Sequence, residues 1–240
     1  MSSIKYKRVL LKISGEVLKG REAHGYDADA VRSAVDTVKS AVDQGVQVAL
    51  VVGAGNIWRG VMGASGGMDA VTADYMGMLG TMMNALCLSD FFRAAGMETE
   101  VFGAVPMMPI ARGFDRKAAL DALDAGKVVI FGGGTGSPFF TTDTTAALRA
   151  LEMNCQAMLK ATKVDGIYTA DPMKDPSATR FATLSYDEAL SRKLAVMDQA
   201  AFSLCRDHEL PIIVFNFFDP ASLPLVLSGD FSVGTLVADN

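Results

Sequence analysis

The sequence is poor in the residues that usually carry metal, disulfide or nucleic-acid chemistry. Its two histidines, His24 and His208, are far apart, which leaves no His/Cys set from which to build a zinc site. Its three cysteines, Cys87, Cys155 and Cys205, include no CxxC pair. An odd, scattered set reads as buried small hydrophobes in a reducing compartment, not as a disulfide framework. Positive charge is not in excess: 22 Lys and Arg stand against 27 Asp and Glu, the opposite of a nucleic-acid footprint. No apolar run approaches the roughly 20 residues of a membrane span. Lys5, Lys7 and Arg8 precede an apolar run that Lys12 interrupts, too short for a signal peptide. Long repeats, linkers and low-complexity segments are missing as well. These absences lead to the expectation of a soluble cytoplasmic protein. Two nucleotide signatures are also lacking. Gly15–Gly20 is followed by Arg21-Glu22, so there is no P-loop, and Gly53-Ala54-Gly55 has no third Rossmann glycine at its proper spacing.

What is present is a chain of 240 residues, half of them hydrophobic. That is enough for a sizeable core in one large domain or two small ones. Short apolar runs read as strands at Arg8–Ile13, Val46–Val52, Glu100–Val105, Val128–Phe131, Ala157–Thr162, Ile212–Phe215 and Gly234–Val237. The second, VQVALVV, is nearly all apolar, as in a parallel sheet covered on both faces. Between them lie helical segments. Val31, Val35, Val38 and Val42 recur at helical spacing after a capping Asp27, and Gly45 stops that helix. Further helices are expected over Asp69–Ala95, Asp115–Ala125, Thr144–Leu151, Tyr186–Lys193, Asp198–His208 and Ser222–Leu227. In Asp69–Ala95 the residues Met76, Leu79, Met83, Leu86 and Phe91 form an apolar stripe, widened by Met78, Met82 and Cys87. Such a helix is either central in the core or packed on another subunit. Strands alternating with helices predict an α/β fold with a mostly parallel sheet.

The chemistry-bearing residues cluster at strand ends. Val128–Asp143 reads VVIFGGGTGSPFFTTD. Gly132, Gly133, Gly134 and Gly136 permit positive φ and close backbone approach. Their amides can form an anion-binding concavity, and Thr141, Thr142 and Asp143 stand where a helix should begin, a second place that favours phosphate. A tight strand-to-helix connection explains the same glycines. Lys12 ends the first strand beside Ser14-Gly15, either snorkelling to solvent or aimed at phosphates. Arg59 follows Gly53-Ala54-Gly55 as a surface arginine or a phosphate fork. Asp74 is a first-turn helix charge or faces a ligand, and Tyr168 is an ordinary β residue or stacks on a base. Gly63–Gly67 fits G-x-S-x-G around Ser65, but no strand precedes it, and a flexible loop explains it better. In open α/β sheets ligands bind at the carboxyl ends of strands, and Lys12–Gly15, Gly53–Asn56, Gly132–Gly136 and Lys160–Lys163 all fall there.

KISGE (Lys12–Glu16), GAGNIWRG (Gly53–Gly60), GTGSPFFTTD (Gly134–Asp143) and KATKVDGIYTADP (Lys160–Pro172) resemble the bacterial uridylate kinases of the amino acid kinase family. MDQAAF (Met197–Phe202) and PIIVFN (Pro211–Asn216) are similar to its C-terminal half. The resemblance covers essentially the whole chain. It implies a three-layer α/β/α sandwich in one domain, 1–240, with an acceptor part near 1–155 and an ATP-binding part near 156–240. It implies transfer of the γ-phosphoryl group of ATP to UMP in pyrimidine nucleotide synthesis. Mg²⁺ would be carried with ATP, and the assembly would be a homohexamer, a trimer of dimers, with GTP activation and UTP inhibition. By resemblance Lys12, Ile13, Ser14, Gly15, Gly55, Arg59, Thr162, Tyr168 and Asp171 would meet ATP. Ala54, Asp74, Thr135, Gly136, Ser137, Pro138, Phe139, Phe140, Thr141 and Thr142 would hold UMP. Lys12, Arg59, Lys160 and Asp143 would be catalytic, with no dedicated metal residue.

Two departures stand out. Relatives often have three glycines where this chain has Gly53-Ala54-Gly55, and a positive φ at Ala54 would be strained. The loop Gly20–Gly25, tied to GTP activation in some relatives, reads GREAHG where they often have Gly and Phe for Ala23 and His24. The competing functions are phosphoryl transfer to an amino acid or carbamate, a non-catalytic nucleotide sensor, and a hydrolase using Ser65. Pro138–Thr142 opposes the first, and Lys12, Lys160 and Asp143 together oppose the second.

Overall fold

The computed structural model describes residues 3–59, 66–192, 194 and 197–239. Ser65 lies outside them, as does Lys193 at the end of one expected helix. The described elements run in chain order as β1 (Arg8–Ile13), a 3-10 helix (Gly15–Lys19), α1 (Ala28–Val42), β2 (Gln47–Val52), α2 (Ala70–Ala94), β3 (Thr99–Gly103), β4 (Arg112–Gly113), α3 (Arg116–Asp124), β5 (Val128–Gly132), α4 (Thr142–Glu152), β6 (Ala157–Thr162), β7 (Thr183–Leu184), α5 (Tyr186–Ser191), α6 (Gln199–Asp207), β8 (Ile212–Asn216), α7 (Ser222–Ser228) and β9 (Gly234–Val237). The strands form one nine-stranded sheet ordered β4-β3-β5-β2-β1-β6-β8-β9-β7. All its pairings are parallel except β8 with β9. No helix among the described residues is long and apolar enough to cross a membrane.

Helices cover both faces, and the two-residue period of the strands sorts the core. Val9, Leu11 and Ile13 of β1 point to the layer made by α1, α2 and α7. Leu10 points to the layer of α3, α4, α5 and α6. Lys12 shares the face of Leu10. In the β1–β6 pairing, Lys12 and Lys160 are register partners, so both lysines project to one face about 4.8 Å apart. Helix caps fix the helix starts: Asp27 accepts from the amides of Asp29 and Ala30 at 2.8 and 3.1 Å.

Helix α2 departs from the usual amphipathic rule. Ala73, Gly80, Thr81, Asn84, Ala85, Leu88 and Phe92 face inward. Met76, Leu79, Met83 and Leu86 of the expected stripe are exposed. Small residues inside let the helix lie close on the sheet: a Cβ at Gly80 would stand 2.9 Å from Ala54 Cβ.

Candidate functional site

The site begins at the β1–β6 junction. Two ammonium groups on adjacent strands repel each other unless an anion lies between them. Asp143, in the first turn of α4, supplies it. Its Oδ2 accepts a 2.5 Å hydrogen bond from Lys160 Nζ, and Lys12 Nζ stands 2.8 Å from Oδ1 as an ion pair. All three side chains are nearly nine-tenths buried. Burial alone would push the Asp143 carboxyl up, but the charges of Lys12 and Lys160 outweigh it and hold it below the usual carboxylate range. Burial lowers the Lys160 ammonium, which the Asp143 charge opposes and the Lys12 charge reinforces, leaving it below an ordinary lysine. The trio carries a net positive charge, fixed in place and largely dry, which is the arrangement that stabilises developing negative charge.

The loops around it are set by close backbone approach. A side chain at Gly15 would strike the Gly53 carbonyl oxygen and the Asn56 amide. Buried Asn84 donates to Gly53 O and Asn56 Oδ1, both at 2.7 Å, tying the glycine turn to α2. Neither Gly53, Ala54 nor Gly55 adopts positive φ. The expected strain at Ala54 is therefore not a feature of this turn, and its methyl group packs toward Gly80. In the second glycine loop Gly133, Gly134 and Gly136 do adopt positive φ, at 81°, 61° and 82°. Gly132 does not; there a side chain would strike the Met82 sulfur.

One cleft opens beside Asp143. Of the residues expected to hold an acceptor, Ala54, Asp74, Thr135, Phe140, Thr141 and Thr142 line it. Gly136, Ser137, Pro138 and Phe139 do not. They form the turn outside the cleft, with Phe139 exposed at φ 70° and its amide donating to Asp74 Oδ2 at 2.7 Å. The lining also includes Gly77, Met78 and Thr81 of α2 and Thr145 of α4; sequence periodicity gives Met78 only as part of an apolar stripe, most of which lies on the exposed side of α2, and gives no sign of the others. The N-terminus of α4 is only partly open to an anion, since Thr141 Oγ1 already accepts from the amides of Asp143 and Thr144 at 3.0 and 3.3 Å.

A second cleft opens beyond β6. Thr162, Tyr168 and Asp171 line it, with Gly166, Arg192 and Leu194. The Tyr168 hydroxyl donates to Asp165 Oδ1 at 2.5 Å. Ser14 and Gly15 lie at the β1 exit, where Ser14 Oγ accepts from the Glu16 amide at 3.3 Å. Two expected residues stand apart from the trio. The Ile13 side chain is buried on the opposite face of β1 from Lys12, so no more than its backbone can face a nucleotide. Arg59 is not with the buried trio: it lies on the rim, paired with Glu16.

In the sequence Asp198 marks no more than the start of a helix. It caps α6 and also accepts from Thr141 Oγ1 at 2.5 Å and Thr144 Oγ1 at 3.0 Å. Its charge acts on Lys160. It fastens α4, and hence Asp143, to α6 within the same layer.

Among solved structures, UMP kinase from Bacillus anthracis superposes with a TM-score of 0.94 at 39% identity, over 98% of this chain and 97% of that one. UMP kinase from Ureaplasma parvum gives 0.92 at 31% identity, over 98% and 100%. Uridylate kinase from Archaeoglobus fulgidus gives 0.74 at 28% identity, over 96% and 99%. Residues 7–216 match the amino acid kinase family. A parallel sheet with two lysines in register, joined by one helix-borne carboxylate between two clefts, thus comes with a family match over most of the sequence, and the chain belongs to the amino acid kinase family.

Proposed function

We propose that this protein transfers the γ-phosphoryl group of ATP to UMP, giving UDP and ADP. The observation that carries the reading is the buried Lys12–Asp143–Lys160 trio, whose Asp143 directly follows Thr142 of one cleft and whose Lys160 lies two residues before Thr162 of the other. Residues 1–155 would take the acceptor, with Ala54, Asp74, Thr135, Phe140, Thr141 and Thr142 around UMP. Residues 156–240 would take the donor, with Thr162, Tyr168 and Asp171 around ATP, and Ser14 and Gly15 offering backbone to its phosphates. The solved relatives named above as UMP kinases support the choice of acceptor.

The chemistry asks little of the residues beyond charge and alignment. A UMP phosphate oxygen is already nucleophilic near neutral pH, so no general base is needed. Its bond to the γ-phosphorus forms as the bond to the ADP oxygen breaks. Lys12 and Lys160 would bracket the moving group, and Asp143 would hold both ammonium groups in place without taking a proton. Mg²⁺ favours phosphate oxygens and water over dedicated protein cages. It would supply charge neutralisation while carried on ATP. Asp143 and Asp198 are already engaged, by Lys12 and Lys160 in the one case and by Thr141 and Thr144 in the other, so the metal would be held by the ATP phosphates and water.

A cytoplasmic place in pyrimidine nucleotide synthesis follows from the same reading. So does a homohexamer built from dimers, with the exposed Met76–Leu86 face of α2 as the subunit contact. GTP activation would pass through the Gly20–Gly25 loop, which touches the glycine turn: Gly25 N donates to Asn56 O at 2.8 Å; UTP inhibition rests on the resemblance alone. The decisive experiment is an ADP-release assay with ATP and Mg²⁺ across UMP, CMP, AMP and GMP. Strong preference for UMP is expected; equal turnover of CMP would remove the substrate assignment. Light scattering showing a monomer would remove the assembly.

A further inference from the structure

Outside the buried trio, another cation–carboxylate–cation set lies at the exits of β1, β2 and β6. Glu16 Oε2 lies 3.2 Å from Lys163 Nζ, and Oε1 pairs with the Arg59 guanidinium. Three strand exits meet there. Glu16 sits four residues after Lys12, Arg59 follows β2, and Lys163 directly follows the last residue of β6. The Glu16 side chain lies against Gly55, where a Cβ would stand 3.4 Å from its Cγ. That side chain is 19% exposed, against 57% for Arg59 and 68% for Lys163. The carboxylate is therefore the fixed member, and the two cations reach it from solvent. A carboxylate held between two cations at the strand exits beside Ser14 and Gly15, where the function reading places the ATP phosphates, would be a rival to those phosphates.

We propose that Glu16 is a placeholder anion. It is a positioning residue that keeps Arg59 and Lys163 at the β2 and β6 exits and yields them when nucleotide phosphates arrive, so that product nucleotides are held less tightly. The proposal rests on the phosphoryl-transfer reading above. A polyphosphate offers more charge and more acceptor oxygens than one carboxylate, so it wins both cations. It must first separate two ion pairs, and the Glu16 charge then faces it. Both costs are small because the cations are exposed, and small costs suit a contact that is remade in each cycle.

The test is Glu16→Gln, which removes the charge and keeps the shape. The full chain is titrated calorimetrically with Mg²⁺–ADP and with inorganic tripolyphosphate, and assayed with ATP and UMP. Both probes are expected to bind about 3- to 10-fold tighter, as the loss of two exposed pairs allows. Inhibition by ADP should strengthen by the same factor, the KM for ATP should fall, and the melting temperature should not move. Glu16→Asp, too short to reach both cations, should lie between parent and Gln. In a Lys163→Ala background the gain should shrink, since the two residues are coupled. Unchanged or weaker binding by Glu16→Gln overturns the proposal, as does a higher KM with a lower melting temperature, which marks a merely structural link. A parent chain that binds tripolyphosphate yet phosphorylates no nucleoside monophosphate overturns the function reading instead, and calorimetry still decides the role of Glu16.

Discussion

Two cation–carboxylate–cation sets join the β1 and β6 sides of this sheet, and they differ mainly in burial. In the inner one, Lys12, Asp143 and Lys160 are almost closed off from water. In the outer one, Arg59 and Lys163 are mostly in it. A charge interaction gains strength as water is removed, and so does the penalty for leaving a charge unpaired. The inner set can therefore fix geometry and stabilise a transferring group. The outer set can be exchanged at little cost, which suits arrival and departure of ligands.

Removing the inner anion should break this contrast most visibly. Asp143→Ala takes away the carboxylate between two buried ammonium groups, a loss of about 3–5 kcal/mol in stability. Turnover should fall by at least about 10³-fold, because both bracketing cations lose their alignment. Lys12→Ala is the informative partner. It leaves a neutral Asp143–Lys160 pair, so turnover should fall about 10²–10³-fold with little change in melting temperature. Calorimetric melts beside steady-state rates check both. If Asp143→Ala melts with the parent, the inner trio is not held together as described.

The pH profile sharpens the same point. The folded Asp143 carboxyl titrates below its ordinary range. Its contribution to stability is thus present above the usual carboxylate pKa of about 4 and is lost as pH falls through the depressed value. The folded Lys160 ammonium is also depressed. Its charge costs folding stability below the depressed pKa, and that charge disappears as pH rises through it. At saturating UMP, kcat/KM for ATP should be level near neutrality and fall on the alkaline side before the ordinary lysine pKa of about 10.4. A profile level beyond that point would contradict a buried catalytic Lys160.

Much of this was legible in the sequence, because Lys12, Asp143 and Lys160 sit beside strand-end motifs whose order is preserved in the fold. The α/β alternation was legible as well, and the limits of the long strands and helices fall within a few residues of expectation. What was hidden depends on contacts between distant segments. Asp198 looks like any helix cap until Thr141 and Thr144 are brought against it. The cleft-lining face of α2 was masked by an apolar stripe that periodicity assigns to the core or to another subunit, and whose Met76, Leu79, Met83 and Leu86 the fold leaves exposed. β4 and β7 have two residues each, too few to show any period. The Ile13 side chain could have been excluded from the start, since neighbours along a strand point to opposite faces.

The smallest effect expected is at the rim. Lys163→Ala removes a side chain that is 68% exposed and 3.2 Å from Glu16, so stability should change by less than about 0.5 kcal/mol. If the outer set serves encounter and release, the change falls on binding: KM for ATP should rise about 2- to 5-fold, as loss of one exposed charge contact permits. Turnover at saturation should hold or rise slightly as release quickens. Salt supplies the control. At about 0.5 M ionic strength the screening length shrinks to a few ångströms, and the parent should approach the variant in KM. The inner trio, shielded from ions, should show no such convergence for Lys12→Ala. A Lys163→Ala variant whose defect lies in kcat and resists salt would place Lys163 with the inner set, and the division between a dry catalytic trio and a wet exchange trio would fail.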